Sequence, residues 1–396
     1  VNSFFSRWLA DLEADQVEGR VPFVVPNVLG QDALNSAGWA DVATIIPWNM
    51  YLVYGDRQIL EQQYNSMKSY VESIRTVAKN DLWNSGFHFG DWLFYRPDDD
   101  NDGRAAVTDK YLIAQCFYSH SAQLLVNAAE VLGYKDDVAE YRQLVAKTRE
   151  AFLKEYMTPN GRLVSGTQTA YVLALNFDML PENLRAQAAV RLADNIKSYG
   201  THLTTGFLGT PYLCHVLTRF GYTDLAFQLL LQEGYPSWLY PVKNGATTIW
   251  ERWDGQKPDG SFQTPGMNSF NHYAYGAIGD WMYRVMTGID THPDGVGYKH
   301  NIIKPHIGGG FTLASAKLET YYGMLASEWK TEGKMLYMNI EIPANTVSTV
   351  YIPADNPELI SEGGVPISMK KEIVVVGKEE GYVILKLGSG KYSFKR

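Results

Sequence analysis

Three times in this chain a glycine and an aspartate fall together where one apolar helical pattern stops and another begins: Gly55-Asp56, Gly133-Tyr-Lys-Asp136 and Gly221-Tyr-Thr-Asp224. Glycine takes up the left-handed backbone conformation that ends a helix, and aspartate caps the exposed N–H groups of the next one. Helical spacing follows each junction. Leu60, Tyr64, Met67, Val71 and Ile74 recur after the first, Val138, Tyr141, Val145, Thr148 and Phe152 after the second, and Leu225, Leu229 and Leu230 after the third. A chain punctuated in this way folds as a series of helical hairpins, each burying its apolar face only by stacking on its neighbours.

The remaining segments extend the series. Residues 1–15 read as an amphipathic helix with Phe4, Phe5, Trp8, Leu9 and Leu12 on one face, and residues 40–54 resume helical spacing before Gly55. A further pair, 169–179 and 182–198, flanks Pro181, and 268–288 reads as the last strong helix. About ten to eleven helices result, enough for most of a toroid of paired helices. The chain opens Val1-Asn-Ser-Phe-Phe, without a methionine and already in helical pattern, so the expectation is a toroid whose N-terminal part is missing. Long loops at 82–108, 199–206 and 235–270 lie on the opposite side from the tight junctions, and loops of that length in a compact domain usually carry function.

After His292-Pro-Asp-Gly the period changes from helical to alternating. Leu336, Met338, Ile340 and Ile342 alternate, as do Val350 with Ile352 and Val383, Leu385 and Leu387, with Val374–Val376 as a further strand and Gly308-Gly-Gly310 as a turn between strands. The expected organisation is a helical domain over residues 1–292 and a small β-sandwich over 293–396.

A net charge of −8 argues against a nucleic-acid partner and against anionic membrane surfaces, and no apolar run is long enough to span a bilayer. The two cysteines, Cys116 and Cys214, sit inside apolar helical patterns and read as buried small hydrophobes, which leaves cytoplasm, periplasm and secretion all open. Aromatic residues make up 13% of the chain, a surplus that suits a carbohydrate-handling surface.

Candidate chemistry concentrates in four places. In Gly245-Ala-Thr-Thr-Ile-Trp-Glu-Arg-Trp-Asp-Gly255, Glu251 stands between Trp250 and Trp253, and flat ring faces beside a carboxylate suit the C–H surface of a sugar. Asp91 beside Trp92, Trp39 near Asp41, and His272 in Phe270-Asn-His-Tyr each precede or open a helix. Each alone is commonly a cap with a packed ring; together they are expected at one mouth of the toroid. Asp98, Asp100, Asp102 and Asp109 follow the oxygen-ligand spacing of a calcium loop, but the ninth position is Ala106 and the twelfth is aspartate, so a solvated acidic loop is the simpler reading and no cofactor is expected. No phosphate-cradling loop, GxSxG elbow or HExxH zinc motif occurs.

Gly38-Trp-Ala-Asp41 followed by Pro47-Trp48, Tyr54-Gly-Asp-Arg57, Gly90-Asp-Trp-Leu93, Thr248-Ile-Trp-Glu-Arg-Trp-Asp254 and Ser269-Phe-Asn-His-Tyr-Ala-Tyr-Gly276 resemble, in order and along nearly the whole chain, the bacterial α-L-rhamnosidases of glycoside hydrolase family 78. The resemblance implies an (α/α)6 barrel followed by a C-terminal β-sandwich, and an inverting hydrolysis of terminal α-L-rhamnosides without a cofactor. It implies that Glu251 is the general base and that Trp39, Trp92 and His272 line the sugar pocket; Asp91, Trp250 and Trp253 are further substrate-binding candidates, the two tryptophans by shaping the surroundings of Glu251. The family's general acid is a glutamate in an Asp-Glu-Arg-Leu-Gly-Trp-like loop. No Asp-Glu-Arg stretch occurs here, so the acid is expected upstream of Val1. Two alternatives stay open: another inverting glycosidase of the same barrel type with Asp91 as its acid, and a carbohydrate-binding protein without hydrolytic activity.

Overall fold

The computed structural model describes residues 1–30, 32–95, 106–379 and 381–396. Two compact units result, one formed by residues 1–48 and 57–278, the other by residues 49–56 and 279–396.

The first unit is helical. Its elements are α1 (Asn2–Asp15), most of α2 (Val42–Tyr54), α3 (Arg57–Val77), α4 (Lys110–Leu132), α5 (Lys135–Tyr156), α6 (Gln168–Asn176), α7 (Glu182–Ser198), α8 (Thr210–Arg219), α9 (Thr223–Leu230) and the short α10 (Leu239–Lys243). Helix α4 pairs with α5, α6 with α7, and α8 with α9; α4 also meets α3 and α6, and α6 meets α8. Burial separates the layers. Every residue from Gln168 to Leu175 of α6 is buried, whereas α5 buries one stripe (Tyr141, Leu144, Val145, Thr148, Phe152 and Tyr156) and α7 another (Ala188, Ala189, Leu192, Ala193 and Ile196). A helix buried on nearly all sides lies inside and a one-striped helix outside, so α4 and α6 are inner helices backed by α5 and α7. Truncating a side chain such as Phe152, which is fully buried, to alanine costs about 3–5 kcal/mol.

The junctions behave as expected in backbone and differ in capping. Gly55, Gly133 and Gly221 all have left-handed φ, of 66°, 84° and 83°. The Gly133 N–H closes α4 by donating to the Ala129 and Glu130 carbonyls. Asp136 and Asp224, however, sit inside the first turns of α5 and α9, whose caps are Tyr134 and Tyr222, without side-chain capping bonds. These two carboxylates act through the positive end of the helix dipole instead. In α1 only Leu9 and Leu12 are buried, and Phe4 is 63% exposed, because the helix packs on α3 along a narrow stripe. The helix expected from residue 268 begins later, with a 3-10 turn at Ala274–Ala277, a single α turn α11 (Ile278–Trp281) and a π-helical turn at Met282–Met286. Residues 269–272 are instead committed to hydrogen bonds with 249–251.

The second unit is built from two sheets. One has the order β1 (Ile289–Thr291), β2 (His300–Ile303), β6 (Val347–Pro353), β10 (Tyr382–Leu387) and β9 (Val374–Glu379). The other has β3 (Leu313–Thr320), β4 (Gly323–Glu332), β5 (Met335–Ile342), β11 (Gly390–Lys395), β7 (Ser361–Glu362) and β8 (Val365–Pro366). Strand β1 therefore belongs to this unit ahead of residue 293. Among the described residues only the β2–β6 pairing is parallel. The alternating residues Leu336, Met338, Ile340 and Ile342, Val350 and Ile352, and Val383, Leu385 and Leu387 all enter one core around the fully buried Trp329. Val374–Val376 do not: β9 pairs only with β10 at the sheet edge, and all three valines stay exposed.

Candidate active site

Two clasps of loop on loop carry the candidate residues. The first joins the segment after α3 to the segment before α8. Tyr95 N–H donates to Thr204 O at 3.1 Å and Phe207 N–H to Trp92 O at 2.9 Å. Gly206 is required here by sterics, because a Cβ would stand 2.2 Å from the Trp92 carbonyl oxygen and 2.6 Å from that of Asp91. Leu93 adopts a left-handed φ of 56°, and its carbonyl accepts the Tyr275 hydroxyl at 2.7 Å. The second clasp joins the tryptophan-rich segment to the histidine segment. Glu251 N–H donates to Ser269 O, and His272 N–H to Ile249 O, each at 2.8 Å, while Thr248 Oγ1 donates to Phe270 O.

Asp91 fastens the first clasp. Its Oδ1 accepts Leu208 N–H at 2.8 Å and Gly209 N–H at 3.0 Å, and its Oδ2 accepts Gly206 N–H at 2.8 Å and the Thr169 hydroxyl. The residue is 4% exposed. Burial pushes its carboxyl above the usual carboxylate range, and the four donors oppose that shift. A carboxylate whose two oxygens each take two protein donors has no acceptor left for a sugar hydroxyl. The Asp91 carboxylate is therefore an internal bracket, while the residue also lines the cavity walled by Trp92 and Trp253.

Asp41 repeats the arrangement one hairpin earlier. Buried, it accepts Gly38 N–H at 2.7 Å and the Ser121 hydroxyl at 2.5 Å, pinning the turn that carries Trp39. From outside, His88 Nδ1 accepts Ala37 N–H at 3.0 Å and Ser36 Oγ accepts Phe89 N–H. Burial holds the His88 imidazole down at about 4, so the ring is the neutral acceptor that this bond requires.

Glu251 is treated differently. Half-buried, it has one carboxylate oxygen fixed by Ser269 N–H at 2.8 Å, and among the described residues its other oxygen takes no protein hydrogen bond. The clasp thus orients the carboxylate while leaving an acceptor edge open. His272 is oriented similarly: Nδ1 accepts Ala274 N–H at 3.2 Å, which places the ring proton on Nε2, and the ring stacks on Phe207 at 5.0 Å and on Tyr273 at 5.1 Å.

Ring contacts tie these positions together. Trp39 meets Phe89 at 4.7 Å and Phe89 meets Trp92 at 5.7 Å; Phe207 meets Tyr275 at 5.3 Å, and Tyr275 stacks on Trp253 at 3.8 Å. A cavity of about 500 Å³ is walled by Trp39, Phe207, Leu208, Tyr212, His272 and Tyr273. A second, of about 340 Å³, is walled by Trp92, Tyr95, Tyr235, Arg252, Trp253 and Asp254. The structure thus brings Trp39 and His272 to one cavity and Trp92 and Trp253 to another. Trp253 is 4% exposed and donates its indole N–H to Thr205 O; Trp250, 6% exposed, packs edge-on against Phe270. Trp253 thus contacts the first clasp and Trp250 the second.

Of the four calcium-spaced aspartates, Asp98, Asp100 and Asp102 lie outside the described residues. Asp109 caps α4, accepting Tyr111 N–H and Leu112 N–H at 2.9 and 2.8 Å. Among the described residues no cluster of histidine, cysteine and acidic side chains has the geometry to hold a metal ion, and no helix is long and apolar enough to cross a membrane. Sequence reasoning missed Phe89 and Phe207, whose only signal was a position next to residues already singled out. It also passed over Arg252 and Asp254, which pair at 3.0 Å while Gln263 donates to the other Asp254 oxygen.

A helical-hairpin unit with its candidate residues on the connecting loops, followed by a two-sheet β unit, is the architecture of the six-hairpin glycosidases with a C-terminal β domain. The chain belongs to the bacterial α-L-rhamnosidase family: residues 1–286 match the family's six-hairpin glycosidase domain and residues 288–365 its C-terminal domain. A relative from Formosa agariphila named alpha-L-rhamnosidase is 39% identical over 100% of this chain and 42% of its own length. The solved α-L-rhamnosidase of Streptomyces avermitilis, complexed with L-rhamnose, is 38% identical over 99% of this chain and 36% of its own, with a TM-score of 0.91. That of Aspergillus terreus is 32% identical over 100% of this chain and 43% of its own, with a TM-score of 0.88. The chain therefore spans about two fifths of the length of the curated relatives it matches.

Proposed function

We propose that this chain carries the general base and the sugar-binding walls of an inverting α-L-rhamnosidase. The observation that carries the reading is the state of Glu251: a carboxylate oriented by one backbone N–H, half-buried, with an open edge, on a segment hydrogen-bonded to the one that bears His272. In an inverting glycosidase a carboxylate of this kind takes a proton from water as the water attacks the anomeric carbon from the face opposite the leaving group. The C1–O bond to the leaving group breaks in the same step, and a carboxylic acid on the far face, roughly 6.5–9.5 Å away, protonates the departing oxygen.

Trp39, Trp92 and His272 are assigned to binding. Indole faces suit the C–H and methyl surface of a 6-deoxy sugar, and the His272 Nε2–H suits a ring hydroxyl. The relative solved with L-rhamnose supports this substrate class. Asp41 and Asp91 are committed to protein donors, so neither is assigned as the acid. The test is Glu251→Gln in the protein assayed on an aryl α-L-rhamnoside. The expected loss in kcat is about 10²–10⁴-fold, the usual contribution of a general base. A variant that keeps more than about a tenth of wild-type turnover would remove Glu251 from the role.

A further inference from the structure

We propose that Asp91 is a positioning residue that holds Trp92, on one cavity, and His272, on the other, in register with each other. The proposal rests on the rhamnosidase reading only for the sugar used in one arm of its test. The contacts run without a gap. Asp91 immediately precedes Trp92, and its carboxylate collects the N–H groups of Gly206, Leu208 and Gly209. Phe207 lies among those donors, gives its own N–H to Trp92 O at 2.9 Å, and stacks its ring on His272 at 5.0 Å with 23° between planes. One buried group therefore fixes both the backbone that carries Trp92 and the ring on which His272 rests.

Only a carboxylate meets the demand. Both oxygens face two donors each, so the amide of an asparagine, in either orientation, would set an N–H₂ group against at least one backbone N–H. Thr169 adds the fourth bond from the first turn of α6, tying the clasp to that inner helix. Trp39 is held by a separate carboxylate, Asp41, through Gly38 and Ser121, so its turn meets the Asp91 clasp only through side chains, Leu208 against Gly38 and Phe89 between Trp39 and Trp92.

The experiment compares Asp91→Asn and Thr169→Val with Asp137→Asn, which removes a carboxylate bonded to Lys68 at 2.9 Å and to the Tyr64 hydroxyl at 2.7 Å on another part of the helical unit. Hydrogen exchange is followed by mass spectrometry over segments 36–41, 204–209 and 268–275, and L-rhamnose affinity by calorimetry. In Asp91→Asn, exchange is expected to accelerate at 204–209 and at 268–275, and less at 36–41, with Kd for L-rhamnose raised at least about tenfold. Thr169→Val is expected to move both readouts in the same direction by less. Asp137→Asn is expected to lower the unfolding midpoint and move neither. A purely structural role would make exchange at 268–275 track global stability, so an equal acceleration in Asp137→Asn would overturn the proposal. So would a folded Asp91→Asn with unchanged exchange at 268–275. If Asp91→Asn does not fold, Thr169→Val decides alone, and unchanged exchange at 268–275 in that variant overturns the proposal. Coupled exchange in a protein that binds no L-rhamnose would uphold the positioning role and remove the sugar reading instead.

Discussion

The loops around Asp91 and Glu251 are made from the same ingredients and do opposite things. Each sets a carboxylate beside tryptophan, and each is one half of a clasp between two connecting segments. At Asp91 four donors converge on the carboxylate, and burial is nearly complete. At Glu251 one backbone donor fixes one oxygen, and the other edge is open among the described residues. The difference lies in how many N–H groups the partner loop aims at the carboxylate. A saturated carboxylate is architecture, because releasing it orphans several buried donors. A carboxylate held at a single point is oriented and still able to accept a proton.

Crossing the two sites should separate stability from turnover. Asp91→Ala orphans three backbone N–H groups and a hydroxyl, and at about 1–3 kcal/mol for each buried unmet donor the loss amounts to several kcal/mol, read as a fall in the urea midpoint. Glu251→Gln keeps an acceptor for Ser269 N–H and should stay within about 0.5 kcal/mol of wild type in the same titration. Equal losses from the two would erase the distinction. Gly206→Ala tests the clasp from its other side: the new Cβ meets backbone oxygens at 2.2 and 2.6 Å, so the two segments must part. The expected cost is about 1–3 kcal/mol, with weakened L-rhamnose binding, and a variant that binds as wild type would show that the clasp does not shape the site.

The last effect is a slope with pH. His88 stays neutral in the fold down to about 4, whereas an unfolded histidine titrates near its ordinary value of about 6.5. As pH falls through that window the unfolded chain binds a proton that the native one refuses, so stability present above about 6.5 is lost at roughly 1.4 kcal/mol per pH unit until about 4. Urea midpoints at several pH values in His88→Gln should show a shallower slope, and an unchanged slope would remove His88 from the account of the Trp39 turn.

Much of this was legible in the sequence because it is local. The glycines at 55, 133 and 221 end helices for a backbone reason that a single residue carries, and the alternation at Leu336–Ile342 marks a one-sided strand wherever it occurs. The residue types of the candidate site were legible from motif. Their division of labour was not, because it depends on partners distant in the chain. Nothing in Gly90-Asp-Trp-Leu93 says that the aspartate will meet Gly206, Leu208 and Gly209, so Asp91 and Glu251 looked alike. The same holds for the helix expected from residue 268, whose first residues pair with 249–251 across a loop, and for Val374–Val376, whose strand composition is sound but whose edge position is a property of the sheet.

The central claim is that the open edge of Glu251 activates water, and chemical rescue tests it most directly. In Glu251→Ala, azide can occupy the space of the missing carboxylate and the water. It attacks the anomeric carbon of a dinitrophenyl α-L-rhamnoside, whose phenolate departs without needing a proton. The C1–N bond forms as the C1–O bond breaks. The account predicts that azide restores release of the phenolate and that the product is the β-configured rhamnosyl azide, formed with inversion. No rescue, or an azide product of retained α configuration, would contradict it.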